Sequence, residues 1–209
     1  MIAVIDYGAG NIHSVARALT RVGAEFEVTA DRGRVARASA LVLPGVGAAL
    51  DTMRGLQAAG VDDPLVSAIA RGVPYLGICM GYQVLFASSD EGDGTPCLGV
   101  LEGRVVRFPD NLHVPHMGWN QVHQERATPL LDGIRQDSNF YFVHSYYPQS
   151  DDAPINVGTT EYGVTFASVV ACNNLFATQF HPEKSGVSGL RVYANFARLA
   201  GQSPVLDLA

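Results

Sequence analysis

At 209 residues, 47% of them hydrophobic, the chain has enough apolar mass for one sizeable domain with a substantial core. The charged fraction is 16% and the formal net charge is -6, which argues against the basic surface that binds nucleic-acid phosphates or anionic lipid. The three cysteines, Cys79, Cys97 and Cys172, have no paired spacing; they point away from a disulfide framework and toward a reducing, cytoplasmic setting.

The opening "MIAVIDYGAG" reads directly as a core strand, without a basic n-region or a small-residue cleavage site, so no secretory signal is expected. Proline and glycine interrupt every apolar run, as in "ALVLPGVGAAL", before the ~20 residues that a membrane span needs. After "IAVIDY", Ile12, Val15, Ala16 and Leu19 recur at helical spacing between Asn11 as a cap and Gly23 as a stop. "EFEVTA" and "ALVLP" read as strands, and Asp63 and Pro64 open a helix carrying Leu65, Val66 and Ile69 that Gly72 closes. "PYLGI" is the next strand and "YQVLFASS" the next helix. Such alternation implies an open, mostly parallel sheet with helices on both faces, an α/β fold.

Beyond the polar, glycine-rich "SSDEGDGTP", the stretches "GVLEGRVVRF", "NQVHQ", "NFYFVHSYYP", "GVTFASVV" and "LFATQF" read as short strands of a mixed or antiparallel half. A last helix from about Gly189 to Leu199 carries Leu190, Tyr193, Phe196, Ala197 and Ala200 on one side. No linker or repeat divides the chain, so one domain over residues 1–209 is expected.

The stretch Gly77-Ile78-Cys79-Met80-Gly81 is G-x-C-x-G, the cysteine form of a nucleophile elbow. A strand that turns sharply into a helix needs small residues on either side, because neighbouring chain passes close. The helix N-terminus favours negative charge on the sulfur, and the amide of Met80 points where an oxyanion would form. The competing reading is a small core cysteine, the usual fate of an unpaired one.

A nucleophilic cysteine needs a base. His181, in "ATQFHPEKS", follows an apolar strand; Pro182 favours an extended conformation there, which turns Glu183 to the same side as the imidazole. Nucleophile, base and orienting carboxylate then fall in chain order Cys79, His181, Glu183. His113, His116 and His123 cluster in "HVPHMGWNQVH", but no carboxylate or thiol joins them, and Pro115 and Gly118 suggest a turn rather than a helix face, so no metal site is expected. His144 reads as a satisfied strand histidine, and His13 is uninformative. "DYGAGN" lacks the third glycine of a dinucleotide fingerprint, and no phosphate-binding loop ends in Gly-Lys-Ser or Gly-Lys-Thr. The "PGVG" turn, residues 44 to 47, follows a strand of the same sheet as the elbow; its amides are candidates for a second oxyanion donor, and an ordinary tight turn is the competing reading.

With these motifs the sequence resembles the class I, or triad-type, glutamine amidotransferases, whose signature is a G-x-C-x-G elbow followed by H-P-E. The resemblance runs from the first strand to the last helix and implies their flavodoxin-like fold. It implies that Cys79 attacks the side-chain amide of L-glutamine, that His181 protonates the leaving ammonia, and that Glu183 holds the imidazole. The amides of Met80 and Val46 would form the oxyanion hole, and Gly45, Gln83, Ser145 and Tyr146 would line the glutamine pocket. No cofactor or metal is implied. "DYGAGN" and "PHMGWN" point to a glutaminase subunit that hands ammonia to a separate synthase, a (β/α)8 barrel, in a heterodimer. They disfavour the branches that serve pyridoxal phosphate or anthranilate synthesis. A stand-alone cysteine amidase and a non-catalytic module are the remaining alternatives.

Overall fold

The computed structural model describes residues 1–92, 94–149 and 153–205; Asp93 of the polar stretch lies outside them. Strands and helices alternate through the first half: β1 (Ile2–Ile5), α1 (Ile12–Arg21), β2 (Phe26–Thr29), α2 (Arg32–Arg37), β3 (Ala40–Gly45), α3 (Ala49–Ala59), α4 (Asp62–Ala70) and β4 (Tyr75–Cys79). There follow α5 (Met80–Gln83), β5 (Ser88–Ser89), β6 (Thr95–Pro96), β7 (Arg104–Arg107), β8 (His116–Gln124), β9 (Ser138–His144), β10 (Tyr146–Gln149), β11 (Asn156–Glu161), β12 (Thr165–Cys172), β13 (Leu175–Thr178) and α6 (Gly186–Leu199).

Helices α2 and α3 escape the sequence pattern. In α2, Val35 is the single buried residue, and the helix relies on the Asp31 carboxylate accepting from the Arg34 amide at 2.8 Å. Asn11 does precede α1, yet its side chain makes no capping bond. The expected helix over "YQVLFASS" is corrected to the single turn of α5. Val84, Leu85 and Phe86 are all fully buried, and one stripe of a helix cannot bury three consecutive side chains. Their carbonyls instead accept from the amides of Leu98, Gly99, Val100 and Leu101. The strand expected over "GVLEGRVVRF" shrinks to β7, because Gly103 turns the chain at φ 111°. Gly118 lies inside β8 rather than in a turn.

The large sheet has nine strands in the order β2-β1-β3-β4-β13-β12-β11-β8-β9. The first five run parallel to one another, and the remainder continue antiparallel. A smaller sheet pairs β10-β7-β5-β6. Alternation along β1 sends Ile2 and Val4 to one face, where Val15 and Leu19 of α1 and Val192, Tyr193 and Phe196 of α6 cover them. Ala3 and Ile5 go to the other face, against Met53 and Leu56 of α3 and Leu65 and Ile69 of α4. Burial on both faces is why the parallel strands read as unbroken apolar runs.

β8 and β9 carry a buried imidazole pair. His144 Nδ1 lies 2.8 Å from the Tyr146 carbonyl, which can only accept, so that nitrogen bears the proton. His144 Nε2 then accepts from His116 Nδ1 at 3.0 Å, and His116 Nε2 accepts from Asn120 Nδ2 at 3.2 Å. Each ring is complete as the neutral tautomer. Phe142 stacks on His116, and Phe108 and Phe166 pack on both rings. Burial holds His116 down to about 4. His144 is pushed down to about 3, by burial first and then by His116 and His181, against the opposing pull of the Tyr146 carbonyl. Both folded values lie below the unfolded one, so the unfolded chain binds more protons between them and stability falls as the pH drops below about 6.5. The loss by pH 4 should be on the order of 3 kcal/mol from His144 alone, with His116 adding to it. Urea midpoints measured from pH 7 to pH 4 should show this slope, and His144→Gln should make it shallower, leaving the part that His116 contributes.

Candidate active site

The strand order β3-β4-β13 brings three segments to the carboxyl edge of the sheet. β3 ends in the Pro44-Gly45-Val46-Gly47 turn, β4 ends in Cys79, and His181 follows three residues after β13. Gly45 pairs with Cys79 in register, and Thr178 with Ile78. Cys79 takes φ 54° and ψ -103°, a backbone conformation that L side chains rarely adopt. The glycines around it are required by space. A Cβ on Gly81 would lie 1.9 Å from the Leu43 carbonyl oxygen, one on Gly77 2.5 Å from the Gly81 carbonyl oxygen, and one on Gly45 2.6 Å from Met80 Cβ.

Cys79, Met80, Gln83, Val46, Ser145, Tyr146 and His181 line one cleft of about 290 Å³. Gly45 is buried behind the turn and Gly47 lines the cleft in its place. His181 is 1% exposed. Its Nδ1 donates to Glu183 Oε1 at 2.9 Å, and Glu183 Oε2 accepts from the Tyr193 hydroxyl at 3.4 Å. The His181 backbone is fixed as well: its amide donates to the Tyr141 carbonyl at 2.9 Å, and its carbonyl accepts from Ser185 Oγ at 2.7 Å. His181 Nε2 is buried and has no hydrogen-bond partner. Burial by itself pulls this imidazole down, but the Cys79 sulfur, together with Glu183, outweighs it and raises the value to about 10. The imidazole therefore holds its proton more tightly than a free one would, beside the Cys79 sulfur.

Since α5 is a single turn, its dipole adds little at Cys79. Cys97 contrasts with Cys79. Burial, with Glu91 adding to it, pushes its thiol up to about 11, which leaves it inert near neutral pH.

Glu91 also borders the cleft and is the one carboxylate among its lining residues. Its Oε2 accepts from the Ala49 amide at the start of α3, at 2.7 Å. Glu91 is hidden in sequence within a polar stretch that reads as loop, and Tyr193 reads as an ordinary core residue of α6. The histidines of "HVPHMGWNQVH" do not converge. His116 faces His144, His123 pairs with Asp137 at 2.9 Å on the surface, and the His113 carbonyl accepts from Tyr162. Among the described residues no three His, Cys, Asp or Glu side chains come together as metal ligands.

The family model for glutamine amidotransferase class-I matches residues 3–199. The chain belongs to this family. It is 51% identical over 200 residues to the imidazole glycerol phosphate synthase subunit HisH of Dehalococcoides mccartyi, covering 96% of this chain and 98% of that one. It is 50% identical over 198 residues to the subunit of the same name from Acinetobacter baylyi, covering 93% and 96%. A crystal structure of a glutamine amidotransferase superposes with a TM-score of 0.77 at 20% identity, covering 97% of this chain and all of that one. The structure of PurLQS from Thermotoga maritima gives 0.75 at 20% identity, over 94% and 97%. The α/β fold with its five parallel strands is thus the class I amidotransferase fold.

The close approach at the elbow is testable. Gly81→Ala would drive a methyl into the Leu43 carbonyl of a fully buried strand. It should cost about 3 kcal/mol in denaturant unfolding and slow alkylation of Cys79 by displacing it.

Proposed function

We propose that this chain is the glutaminase subunit of an imidazole glycerol phosphate synthase, acting in histidine biosynthesis as one glutaminase domain. The observation that carries the reading is the strained Cys79 sharing a cleft with an imidazole held by Glu183, in a chain about half identical to subunits bearing that name.

The cleft suits glutamine. Glu91 is the anionic counterpart for the α-ammonium group. Gln83 Nε2 spends its two hydrogens on the Tyr146 carbonyl at 2.8 Å and on Gln179 Oε1 at 3.0 Å. This leaves Gln83 Oε1, buried and unpartnered, to accept from a ligand N–H. Ser145 and Tyr146 complete the wall.

The Cys79 sulfur attacks the carboxamide carbon, and the oxyanion is held by the amides of Met80 and Val46. As the C–N bond breaks, His181 gives its proton to the departing nitrogen, and ammonia leaves a thioester on Cys79. Water then attacks the thioester while the now neutral His181 takes its proton. Glutamate departs and the pair is restored, so glutamine and water become glutamate and ammonia.

Ammonia passes to a cyclase subunit, a (β/α)8 barrel, with which the chain forms a heterodimer. The cyclase yields imidazole glycerol phosphate and an aminoimidazole carboxamide ribotide. Exposed apolar side chains support such a docking partner: Met117 and Trp119 on β8 are 65% and 59% exposed, and Val46, in the oxyanion turn itself, is 39% exposed. Trp119 meets Tyr141 edge-on, and the Lys184 ammonium sits 5.7 Å above the Tyr141 ring, one residue beyond Glu183. The three free cysteines fit a reducing cytoplasm, and among the described residues no helix is long and apolar enough to cross a membrane.

Glutamine hydrolysis measured with and without the cyclase subunit and its nucleotide ligand tests the reading. The rate should be weak alone and rise at least about 100-fold in the complex; equal rates would refute gating by the partner, and no hydrolysis in the complex would refute the glutaminase. Cys79→Ala should abolish turnover and leave the complex intact. Glu91→Gln should raise KM about tenfold with kcat little changed, the signature of lost ground-state binding.

A further inference from the structure

Gln179 is completely buried beneath the nucleophile and has no part in the mechanism above. Its side chain reaches two cleft residues of the elbow segment that lie 96 and 100 positions before it in sequence. Gln179 Oε1 accepts from Gln83 Nε2 at 3.0 Å, and Gln179 Nε2 lies 3.7 Å from Cys79 Sγ. The direction of these bonds is fixed from the far end. The Tyr146 carbonyl is purely an acceptor, so Gln83 must turn its nitrogen to it. The second hydrogen on that nitrogen faces Gln179, which must therefore present its oxygen to Gln83. Only the Gln179 nitrogen remains for the sulfur.

We propose that Gln179 is a built-in hydrogen-bond donor to the Cys79 sulfur, locked in that orientation by Gln83 and the Tyr146 carbonyl, and that it stabilises the thiolate and fixes where its lone pair points. The inference rests on Cys79 as the nucleophile. Its physical logic is separate from that of His181. The imidazolium supplies charge and later gives up its proton, whereas an amide N–H supplies a dipole that cannot be lost during turnover. Besides Gln179 and His181, the sulfur's hydrogen-bond contacts among the described residues include the Val143 carbonyl at 3.9 Å. That group would accept from a thiol and repel a thiolate, and the Gln179 N–H opposes it as a donor to the sulfur. Complete burial makes the donor stronger, since no water competes for it.

The test is the pH dependence of Cys79 alkylation by iodoacetamide in the full chain. Gln179→Met keeps the length and removes the donor; Gln179→Glu keeps the shape and replaces the N–H by an oxygen. In both variants the thiolate fraction on the acid limb should fall about tenfold. The alkylation rate at the alkaline plateau should rise about threefold, because a more basic thiolate is the better nucleophile. Merely loosened packing would not move midpoint and plateau upward together. An unchanged profile in either folded variant overturns the proposal. In the unsubstituted chain, the Gln179 side-chain amide proton resonance should move with the same midpoint as alkylation; a resonance indifferent to the state of Cys79 overturns it equally. Alkylation needs neither glutamine nor a partner, so failure here leaves the glutaminase reading standing, and failure of that reading leaves this measurement interpretable.

Discussion

The backbones of β3 and the elbow approach each other more closely than a Cβ permits, and the geometry of the candidate site follows from that contact. Leu43 and Gly81 are close enough that a methyl on Gly81 would sit 1.9 Å from a carbonyl oxygen, far inside van der Waals contact. With Gly45 and Gly77 equally bare, the chain can leave β4 through a residue at φ 54° and turn at once into α5. Such a conformation costs on the order of 1–3 kcal/mol. It persists because Tyr75 through Cys79 are buried, with β3 on one side and β13 on the other. The strain is held by the centre of the sheet, and the neighbouring strand ends deliver the Val46 turn and His181 to the same edge.

How much of this is legible in the sequence depends on the distance over which each feature is encoded. The elbow is five consecutive residues and the H-P-E stretch is three, so the convergence of Cys79, His181 and Glu183 can be expected from the chain alone. The βα alternation of the first half is legible for the same reason, since each unit carries its own periodicity. What cannot be read is set by contacts between distant segments. Gln83 meets Gln179 across 96 positions, and Glu91 reaches the amide of Ala49 across 42. The run after the elbow looks helical, yet it unwinds because its carbonyls find donors in residues 98 to 101. Strand β11, rich in Thr and Gly as "NVGTTE", gives no alternation and acquires its identity from β12 and β8 beside it.

One backbone carbonyl orients two of the site's side-chain chains. Tyr146 O accepts from Gln83 Nε2 at 2.8 Å and from His144 Nδ1 at 2.8 Å. From the first bond the amide orientations run through Gln179 to the sulfur. From the second the tautomers run through His116 to Asn120, whose Nδ2 also donates to the Glu161 carbonyl at 3.0 Å. His116 and Asn120 thus have a structural use, and "PHMGWN" needs no metal to account for its histidine.

His144 and His181 border the same cleft and are both buried, yet their charges differ. Burial pushes each toward the neutral form. Of the two, His181 alone has the Glu183 carboxylate on one nitrogen and the Cys79 sulfur nearby, and these reverse the effect of burial. His144 has a carbonyl on one side and another imidazole on the other, and a proton added to it would leave two N–H groups facing each other across 3.0 Å. The charge on His181 itself helps keep His144 neutral. Of the two buried imidazoles bordering the cleft, the one beside the sulfur is thereby the one whose surroundings favour the added proton.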